Sequence, residues 1–303
     1  PTNPTYSTNS AHIMAATPPK FLTEAQVQFY HDNGYLLIEN FSTPSEVSRM
    51  RQAAEDIMHK LEAEQNLPIH VFSTGKNQAA ERTNYFRDSV DSVVPFFETK
   101  AIDMESKSFK ASFKQAINKI GHALHVHDPV FKEITHAQKC RDVCEDLGVT
   151  HAVVPQSMYI LKEAKYGAEV SPHQDSTFLW SDKPSCTGFW IALDDATLEN
   201  GCLWAIPGSH KGEVKTRFVL SSDGQNLSFE PEIGNTWDVW PKDVFTPLPV
   251  ASGTLVLIHG ALVHMSLENK SDKARHIYSW HVVSNDEKFS SRNWMGTGPF
   301  AAM

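Results

Sequence analysis

The chain has 303 residues, is 41% hydrophobic and 21% charged, and carries a formal net charge of −9 at pH 7 with its histidines neutral. The acidic balance disfavours a nucleic-acid backbone or an anionic membrane surface as a partner, and no apolar run reaches the roughly eighteen residues of a membrane-spanning helix. Four cysteines in a chain of this length, without a secretion signal, are typical of reduced thiols in the cytoplasm.

The two ends of the chain give expectations about processing and location. Residues 1–20 are polar and lack the basic-then-apolar pattern of a signal peptide, so we expect a flexible N-terminal tail in which Met14 is a candidate native start. The chain ends in Ala-Ala-Met rather than in a peroxisomal tripeptide. We therefore expect a cytoplasmic monomer with neither a membrane nor a nucleic-acid partner.

Residues 21–149 are predicted to form a helical front with loops that approach the mouth of a site. Caps, proline positions and apolar periodicity define its parts. In chain order they are a capped helix over 23–34, a strand-like run over 35–38 and a long amphipathic helix over 43–65. Polar loops over 67–104 and a helical stretch over 118–147, broken at a proline, follow.

Residues 150–285 have a different texture, with short β-rich runs separated by turn signals. The runs cover 153–161, 188–193, 202–206, 253–259 and 275–283. Strands at regular spacing without intervening helices predict an antiparallel sandwich or barrel, braced on one face by the helical front. We expect one domain over 21–303, mainly β with flanking α.

The first chemical signal is His173-Gln174-Asp175. In extended backbone, residues i and i+2 project to the same face, so His173 and Asp175 can converge on one ion. An imidazole and a carboxylate suit Fe(II), Mn(II) or Zn(II), and one more histidine would leave coordination positions open. Such triplets also occur by chance, so a third ligand from a distant strand is needed to support the assignment.

Two histidines could supply that third ligand. His259 closes an apolar run, while His264 follows the turn at Gly260 and is favoured on geometry, although both stay open at this point. Arg275 follows eleven residues after His264, enough for the chain to turn and return on the antiparallel neighbour. An arginine there can bind the far carboxylate of a 2-oxo acid whose other end chelates the metal.

These residues lie in a sequence that resembles the phytanoyl-CoA dioxygenase family of Fe(II)- and 2-oxoglutarate-dependent oxygenases. The resemblance extends from about residue 21 to 294. Besides His173, Asp175, His264 and Arg275, it is carried by motifs at 118–125, 156–160, 195–204 and 255–260. It implies a double-stranded β-helix, the jelly-roll or cupin-like core, preceded by helices.

The resemblance also implies a site. It assigns iron to His173, Asp175 and His264, which decides against His259. It places the 2-oxoglutarate site at Lys119, Met158, Trp190, Ser266 and Arg275. Of these five, only the arginine is indicated by the residues alone, since the lysine is typical of a solvated helix and the methionine and tryptophan of a β core. A serine two residues after a ligand shares its face in extended backbone.

The implied chemistry is hydroxylation with O₂, release of succinate and CO₂, and ascorbate as a candidate reductant. Asp175 favours hydroxylation, because related halogenases have a small residue in its place. The substrate is expected to be a small molecule or an acyl compound. A CoA ester would need basic groups, for which lysines 100, 107, 110 and 114 are candidates. The alternatives are a zinc-dependent hydrolase and a 2-oxoglutarate sensor without productive hydroxylation.

Other histidines suggest further chemistry less strongly. The cluster of His122, His125 and His127 could form a second metal site, but a lining or capping role is favoured. His276 and His281 are predicted on opposite faces of the last strand, and neither has a carboxylate partner in register. No catalytic role is therefore predicted for either.

Overall fold

The computed structural model describes residues 18–73 and 84–303. The predicted N-terminal tail falls mainly on 1–17, which lie outside the described residues, as does the part of the predicted loop over 74–83.

The first two helices begin with the caps that the sequence predicts. The side chain of Thr23 accepts from the backbone of Gln26, and that of Thr43 accepts from Glu46. Gly34 ends the first helix in the left-handed region, at a φ of 81°. The described α-helices are α1 Glu24–Asn33, α2 Pro44–Ala63, α3 Asn84–Asp88, α4 Phe113–Ala116, α5 Leu124–His127, α6 Pro129–Thr135, α7 Gln138–Asp146 and α8 Thr236–Val239. Among them, none combines the length and the apolar character needed to cross a membrane.

The strands are numbered in chain order. Those before residue 150 are β1 Tyr35–Ile38, β2 Val71–Phe72, β3 Val93–Glu98, β4 Ile102–Asp103, β5 Ser108–Phe109 and β6 Ile117–His122. The next group is β7 Ala152–Lys162, β8 Val170–His173, β9 Thr187–Ala192, β10 Leu203–Ala205, β11 Arg217–Leu220 and β12 Leu227–Glu230. The last group is β13 Thr246–Leu248, β14 Leu255–His259, β15 His264–Ser266, β16 Arg275–Ser284 and β17 Ala301–Ala302.

Two sheets make up the core. The major sheet has the order β1-β14-β9-β16-β7-β6-β3-β2, with β17 pairing β7, and the minor sheet has the order β13-β10-β15-β8. From β7 to β16 the chain alternates between β14-β9-β16-β7 and the minor sheet, except that β10 and β13 both lie in the minor sheet, with the separate hairpin β11-β12 between them. This is the predicted double-stranded β-helix, mainly β with flanking α.

The two sheets pack face to face, and helices cover the outer face of the major sheet. Trp190 and Val256 of the major sheet share one apolar cluster with Leu203 and Leu248 of the minor sheet. On the outer side, residues of α2, α6 and α7 pack with alternate residues of β7, β9, β14 and β16. The central strand β16 is consequently buried on both faces along its whole length.

The predicted helix over 118–147 is wrong in its first part. Residues Ile117–His122 form β6, which pairs antiparallel with β3 and with β7, where Lys119 lies opposite Ile160. Helix begins only at Leu124, and Pro129 starts a helix, at the position where its missing N–H costs nothing. Long-range pairing with two strands outweighs the local helical pattern here.

His125 packs behind this region. Its side chain is 3% exposed, and Nδ1 lies 2.8 Å from the hydroxyl oxygen of Ser157 in β7. Burial, with a smaller effect of His136, lowers the pKa of His125 to about 4. The ring is therefore neutral in the folded protein at pH 7 and packs against β7 through its contact with Ser157.

We predict that His125 makes the stability of the fold depend on pH. Because its folded pKa lies below the unfolded value of about 6.5, its contribution is complete above that pH and is lost as the pH falls towards 4. Between pH 7.5 and pH 5, the free energy of unfolding of His125→Gln should fall by about 2 kcal/mol less than that of the wild type. Urea titrations at both pH values measure this.

The control is His59→Gln on α2, whose side chain is already 68% exposed in the folded protein. This variant should show the wild-type pH dependence. An identical pH dependence for His125→Gln and the wild type would contradict the prediction, whatever the absolute stability of the variant.

Candidate metal and co-substrate site

The candidate metal-binding residues come together where two short strands of the minor sheet, β8 and β15, pair. β8 and β15 are antiparallel, and His173 lies directly opposite His264. Asp175 opens a 3₁₀ turn just after β8. Its Oδ1 lies 3.7 Å from Nε2 of His173 and 3.7 Å from Nε2 of His264. Within the described residues, these three are the group whose donor atoms all lie within 4.8 Å of one another.

Both histidines are oriented by the backbone. Nδ1 of His173 lies 2.9 Å from the carbonyl oxygen of Ser171, and Nδ1 of His264 lies 3.0 Å from that of Leu262. A carbonyl only accepts, so each Nδ1 carries the proton and each Nε2 presents a lone pair to the centre. Two imidazole nitrogens and one carboxylate oxygen are a donor set that fits a divalent transition metal with open positions.

His259, the rival for the third ligand, lies elsewhere. Its Nδ1 accepts from the backbone N–H of Ala261, and its ring lies 4.9 Å from that of His210. Burial, and then the neighbouring His210 and His31, lower its pKa to about 4. The geometric preference for His264 therefore agrees with the structure.

Asp175 is buried, with 8% of its surface exposed. Burial alone would raise the pKa of this carboxyl, but His264, His281 and His173 hold it well below its usual range. The chain also makes room for the carboxylate at Gly188 of β9, since a Cβ there would lie 3.2 Å from Oδ2 of Asp175. The carboxylate is thus ionised and fits closely into its surroundings.

His281 is a site residue that the sequence did not predict. Its Nε2 lies 3.2 Å from Oδ2 of Asp175, a carboxylate partner that the expectation about residues in register did not cover. The partner stands after β8, on the facing sheet, and not in register on a neighbouring strand. A period of two along β16 from Arg275 places His281 on the same inner face, and this was the available signal.

Arg275 begins β16 and is 2% exposed. Its guanidinium lies 5.4 Å from the ring centroid of Trp190, and burial lowers its pKa to about 10. Among the described residues, none forms an ion pair with it within 4.0 Å or accepts a hydrogen bond from its Nε. It is thus a buried cation at pH 7 with no ion-pair partner within 4.0 Å in that part of the chain, and the more distant Asp194 offsets only part of the effect of burial on its pKa.

Lys119 is buried, at 5% exposed, and is not the solvated helix lysine that its local sequence suggests. It lies on β6, with Nζ 3.7 Å from Sδ of Met158 and 3.8 Å from the ring centroid of Phe72. Three phenylalanine rings lie within 5.4 Å of this ammonium group. Aromatic faces stabilise a cation that burial has removed from water.

A cavity of about 390 Å³ opens beside the centre. Its wall includes His173, Asp175, His281, Lys119 and Met158. Aromatic side chains make up much of the rest, namely Phe72, Phe86, Phe178, Phe229, Trp240 and Trp294. Of the other predicted site residues, His264, Ser266, Trp190 and Arg275 are buried in the barrel outside this wall.

His122 and His127 do not form the second metal site that was considered. His122 lines the cavity and its Nδ1 lies 2.8 Å from the hydroxyl oxygen of Ser89, while Nε2 of His127 lies 2.7 Å from the carbonyl oxygen of Asp91. In residues 18–73 and 84–303 they belong to no group of three or more metal-ligating side chains. The favoured lining role agrees with the position of His122.

Comparisons with known proteins identify the family. A family model described as phytanoyl-CoA dioxygenase (PhyH) matches residues 30–277. Phytanoyl-CoA dioxygenase of Arabidopsis thaliana is 41% identical over 275 residues, which cover 90% of this chain and 93% of that protein. Phytanoyl-CoA dioxygenase domain-containing protein 1 of Mus musculus is 42% identical over 288 residues, which cover 92% and 96% respectively.

Solved structures share the fold at low identity. EctD from S. alaskensis with bound Fe has a TM-score of 0.65 at 16% identity, over 95% of this chain and 88% of that one. EctD with 2-oxoglutarate and 5-hydroxyectoine has a TM-score of 0.61 at 16% identity, over 91% and 80%. The non-heme alpha ketoglutarate dependent carbocyclase SnoK has a TM-score of 0.62 at 21% identity, over 90% of each chain. The predicted jelly-roll core is thereby confirmed.

The geometry predicts that Asp175 is required for binding a divalent metal. Asp175→Ala removes the one anionic donor of the group, and we expect Mn(II) binding to weaken by at least about 100-fold in calorimetric titrations. Removing a ligand from a three-residue site leaves two neutral donors for a divalent cation. The wild type should bind one equivalent.

Glu163→Gln is the matched control. Glu163 is another buried carboxylate beside a histidine, with Oε1 3.3 Å from Nε2 of His276. It should retain wild-type Mn(II) affinity. If Asp175→Ala bound Mn(II) as tightly as Glu163→Gln, the assignment of the carboxylate would be wrong.

Proposed function

The chain belongs to the phytanoyl-CoA dioxygenase (PhyH) family, and we propose that it is an Fe(II)- and 2-oxoglutarate-dependent dioxygenase that hydroxylates a small-molecule or acyl substrate. The observation that carries this proposal is Arg275, a buried cation with no ion-pair partner within 4.0 Å among the described residues, in the same barrel as a triad able to bind metal. The proposal includes one oxygenase domain over 21–303 and a cytoplasmic monomer.

His173, Asp175 and His264 would hold the iron. When bound, Fe(II) supplies the activation of O₂ that couples conversion of 2-oxoglutarate to succinate and CO₂ with oxidation of the substrate. The residues of the chain orient the reactants. The backbone carbonyls of Ser171 and Leu262 fix the two imidazoles, and burial excludes bulk water from the carboxylate. Ascorbate stays a candidate reductant.

Arg275 supports 2-oxoglutarate as the co-substrate. A buried, unpaired cation costs several kcal/mol, about the amount that a well-placed anion recovers. A guanidinium binds a carboxylate through two parallel hydrogen bonds, which selects an acid by geometry as well as by charge. We propose that the carboxylate remote from the metal binds Arg275, with Lys119, Met158, Trp190 and Ser266 lining the co-substrate site.

The rival functions are less well supported. A zinc hydrolase needs a metal and a water molecule, and it would leave a buried arginine without a ligand. A pure 2-oxoglutarate sensor needs no further space, whereas about 390 Å³ lies open beside the triad. The aromatic wall of this cavity favours a substrate with an apolar or planar part next to the oxidised carbon.

The first test is turnover. With Fe(II), 2-oxoglutarate and O₂, the wild type should release succinate, which proton NMR measures directly. His173→Ala should reduce succinate release to the background of the Fe(II) solution, because the remaining donors do not hold the metal. Glu163→Gln serves again as the control and should turn over normally. Full turnover by His173→Ala would exclude the proposed iron site.

The second test is co-substrate binding. Arg275→Met keeps the length of the apolar stem and removes the charge. We expect the dissociation constant of 2-oxoglutarate, measured anaerobically on the Mn(II)-loaded protein, to rise at least about thirty-fold, since losing one partner of a buried charge pair costs about 2 kcal/mol or more. Mn(II) affinity itself should not change.

Arg49→Met is the control, because Arg49 forms a half-exposed ion pair with Glu133 between α2 and α6. Its 2-oxoglutarate affinity should equal that of the wild type. An unchanged dissociation constant in Arg275→Met would place the carboxylate anchor elsewhere, even if the metal site were correct.

A further inference from the structure

The two oxygens of the Asp175 carboxylate contact different histidines. Oδ1 lies 3.7 Å from Nε2 of His173 and from Nε2 of His264, the nitrogens that present lone pairs. Oδ2 points the other way and lies 3.2 Å from Nε2 of His281 on β16, within hydrogen-bonding distance. One oxygen therefore faces the metal-ligating nitrogens while the other faces the major sheet.

The tautomer of His281 is set by Gln156 of β7. The side-chain nitrogen of Gln156 lies 3.1 Å from Nδ1 of His281. An amide nitrogen only donates, so Nδ1 accepts, and the proton of the neutral ring is on Nε2, from which it is donated to Oδ2 of Asp175. The order Gln156, His281, Asp175 is thus a directed chain of donors that crosses from the major sheet to the minor sheet.

Gly188, on the strand next to β16, provides the space that Oδ2 occupies. A Cβ at this position would lie 3.2 Å from Oδ2 of Asp175 and 3.6 Å from Cδ2 of His281. The absent side chain leaves room for the carboxylate and the imidazole to meet edge to edge. Residues of three neighbouring strands, β7, β16 and β9, therefore define the surroundings of Oδ2.

We propose that His281 is a positioning residue that holds Asp175 as a one-oxygen metal ligand, with Gln156 fixing the orientation of His281. The inference rests on the proposed metal site and adds a residue to it. His281 is not a fourth ligand, because within the described residues the group of donors that lie within 4.8 Å of one another consists of His173, Asp175 and His264. Without the hydrogen bond to Oδ2, the carboxylate is free to rotate about its Cβ–Cγ bond and chelate through both oxygens.

The consequence for function concerns the number of open positions. A carboxylate that binds through one oxygen leaves three of six coordination positions for 2-oxoglutarate and O₂, whereas a chelating carboxylate occupies one of them. His281 therefore keeps a position available for the co-substrates. It also lines the cavity, so its orientation contributes to the wall that the substrate contacts.

His281→Leu tests the proposal because leucine fills a similar volume and cannot donate. We expect Mn(II) affinity to fall about 10- to 100-fold, the usual effect of removing a partner that orients a metal ligand. The visible absorption bands of the Co(II)-loaded protein should change in position and intensity, since they report coordination number. His281→Gln retains a donor at similar reach and should restore both readouts to within about threefold of the wild type.

His276→Leu is the matched control on the same strand. His276 is also buried, contacts a carboxylate at 3.3 Å and bonds to Tyr159, but it lies on the opposite face of β16. Its loss should lower stability without changing Mn(II) affinity or the Co(II) spectrum. Equal effects of the two leucine variants on the Co(II) spectrum would show that any damage to β16 suffices, which would overturn the proposal.

A second variant covers the case in which His281→Leu does not fold. Gln156→Leu leaves Asp175 and His281 in place and removes only the group that fixes the tautomer. It should weaken Mn(II) binding about three- to tenfold and shift the Co(II) bands in the same direction. If His281→Leu does not fold, wild-type Mn(II) affinity and wild-type Co(II) bands in Gln156→Leu would refute the positioning role alone. Absence of Mn(II) binding by the wild type would refute the proposed metal site itself.

Discussion

The buried carboxylate of Asp175 contacts histidines from both sheets of this protein. From the minor sheet, His173 and His264 approach one of its oxygens, and from the major sheet, His281 approaches the other. A buried carboxylate is costly unless donors surround it. The two sheets must therefore pack in one relative position to stabilise this charge. Pairing of β8 with β15 within the minor sheet brings the nitrogens of His173 and His264 together.

The strand β16 shows how a protein core accommodates such polar groups. Its outward side chains include Tyr278 and Trp280, which pack under the helices and supply a large apolar area. Its inward side chains include Arg275 and His281, which carry charge or hydrogen bonds. Burial of the outer face stabilises the strand while the inner face remains available for chemistry, so one segment serves both packing and function.

The sequence predicted the parts of the site that depend on local geometry. The i, i+2 spacing of His173 and Asp175 follows from extended backbone alone, and the regular spacing of turn signals was sufficient for the β architecture. The burial of Lys119 was missed, because it depends on β6 joining β3 and β7, which are far away in the chain. The partner of His281 was missed for a similar reason. Contacts between facing sheets, unlike those between paired strands, follow no residue-by-residue register that a sequence pattern could reveal.

The position of β16 also has a consequence for how the protein is made. It lies between β7 and β9, although it is synthesised more than eighty residues after β9. Until β16 has been synthesised, β7 and β9 each have an unpaired edge, and unpaired strand edges promote aggregation with other chains. Insertion of β16 pairs both of these edges and also places Arg275 and His281 in the barrel. A chain that ends before β16 therefore has unpaired strand edges and also lacks two residues of the candidate site.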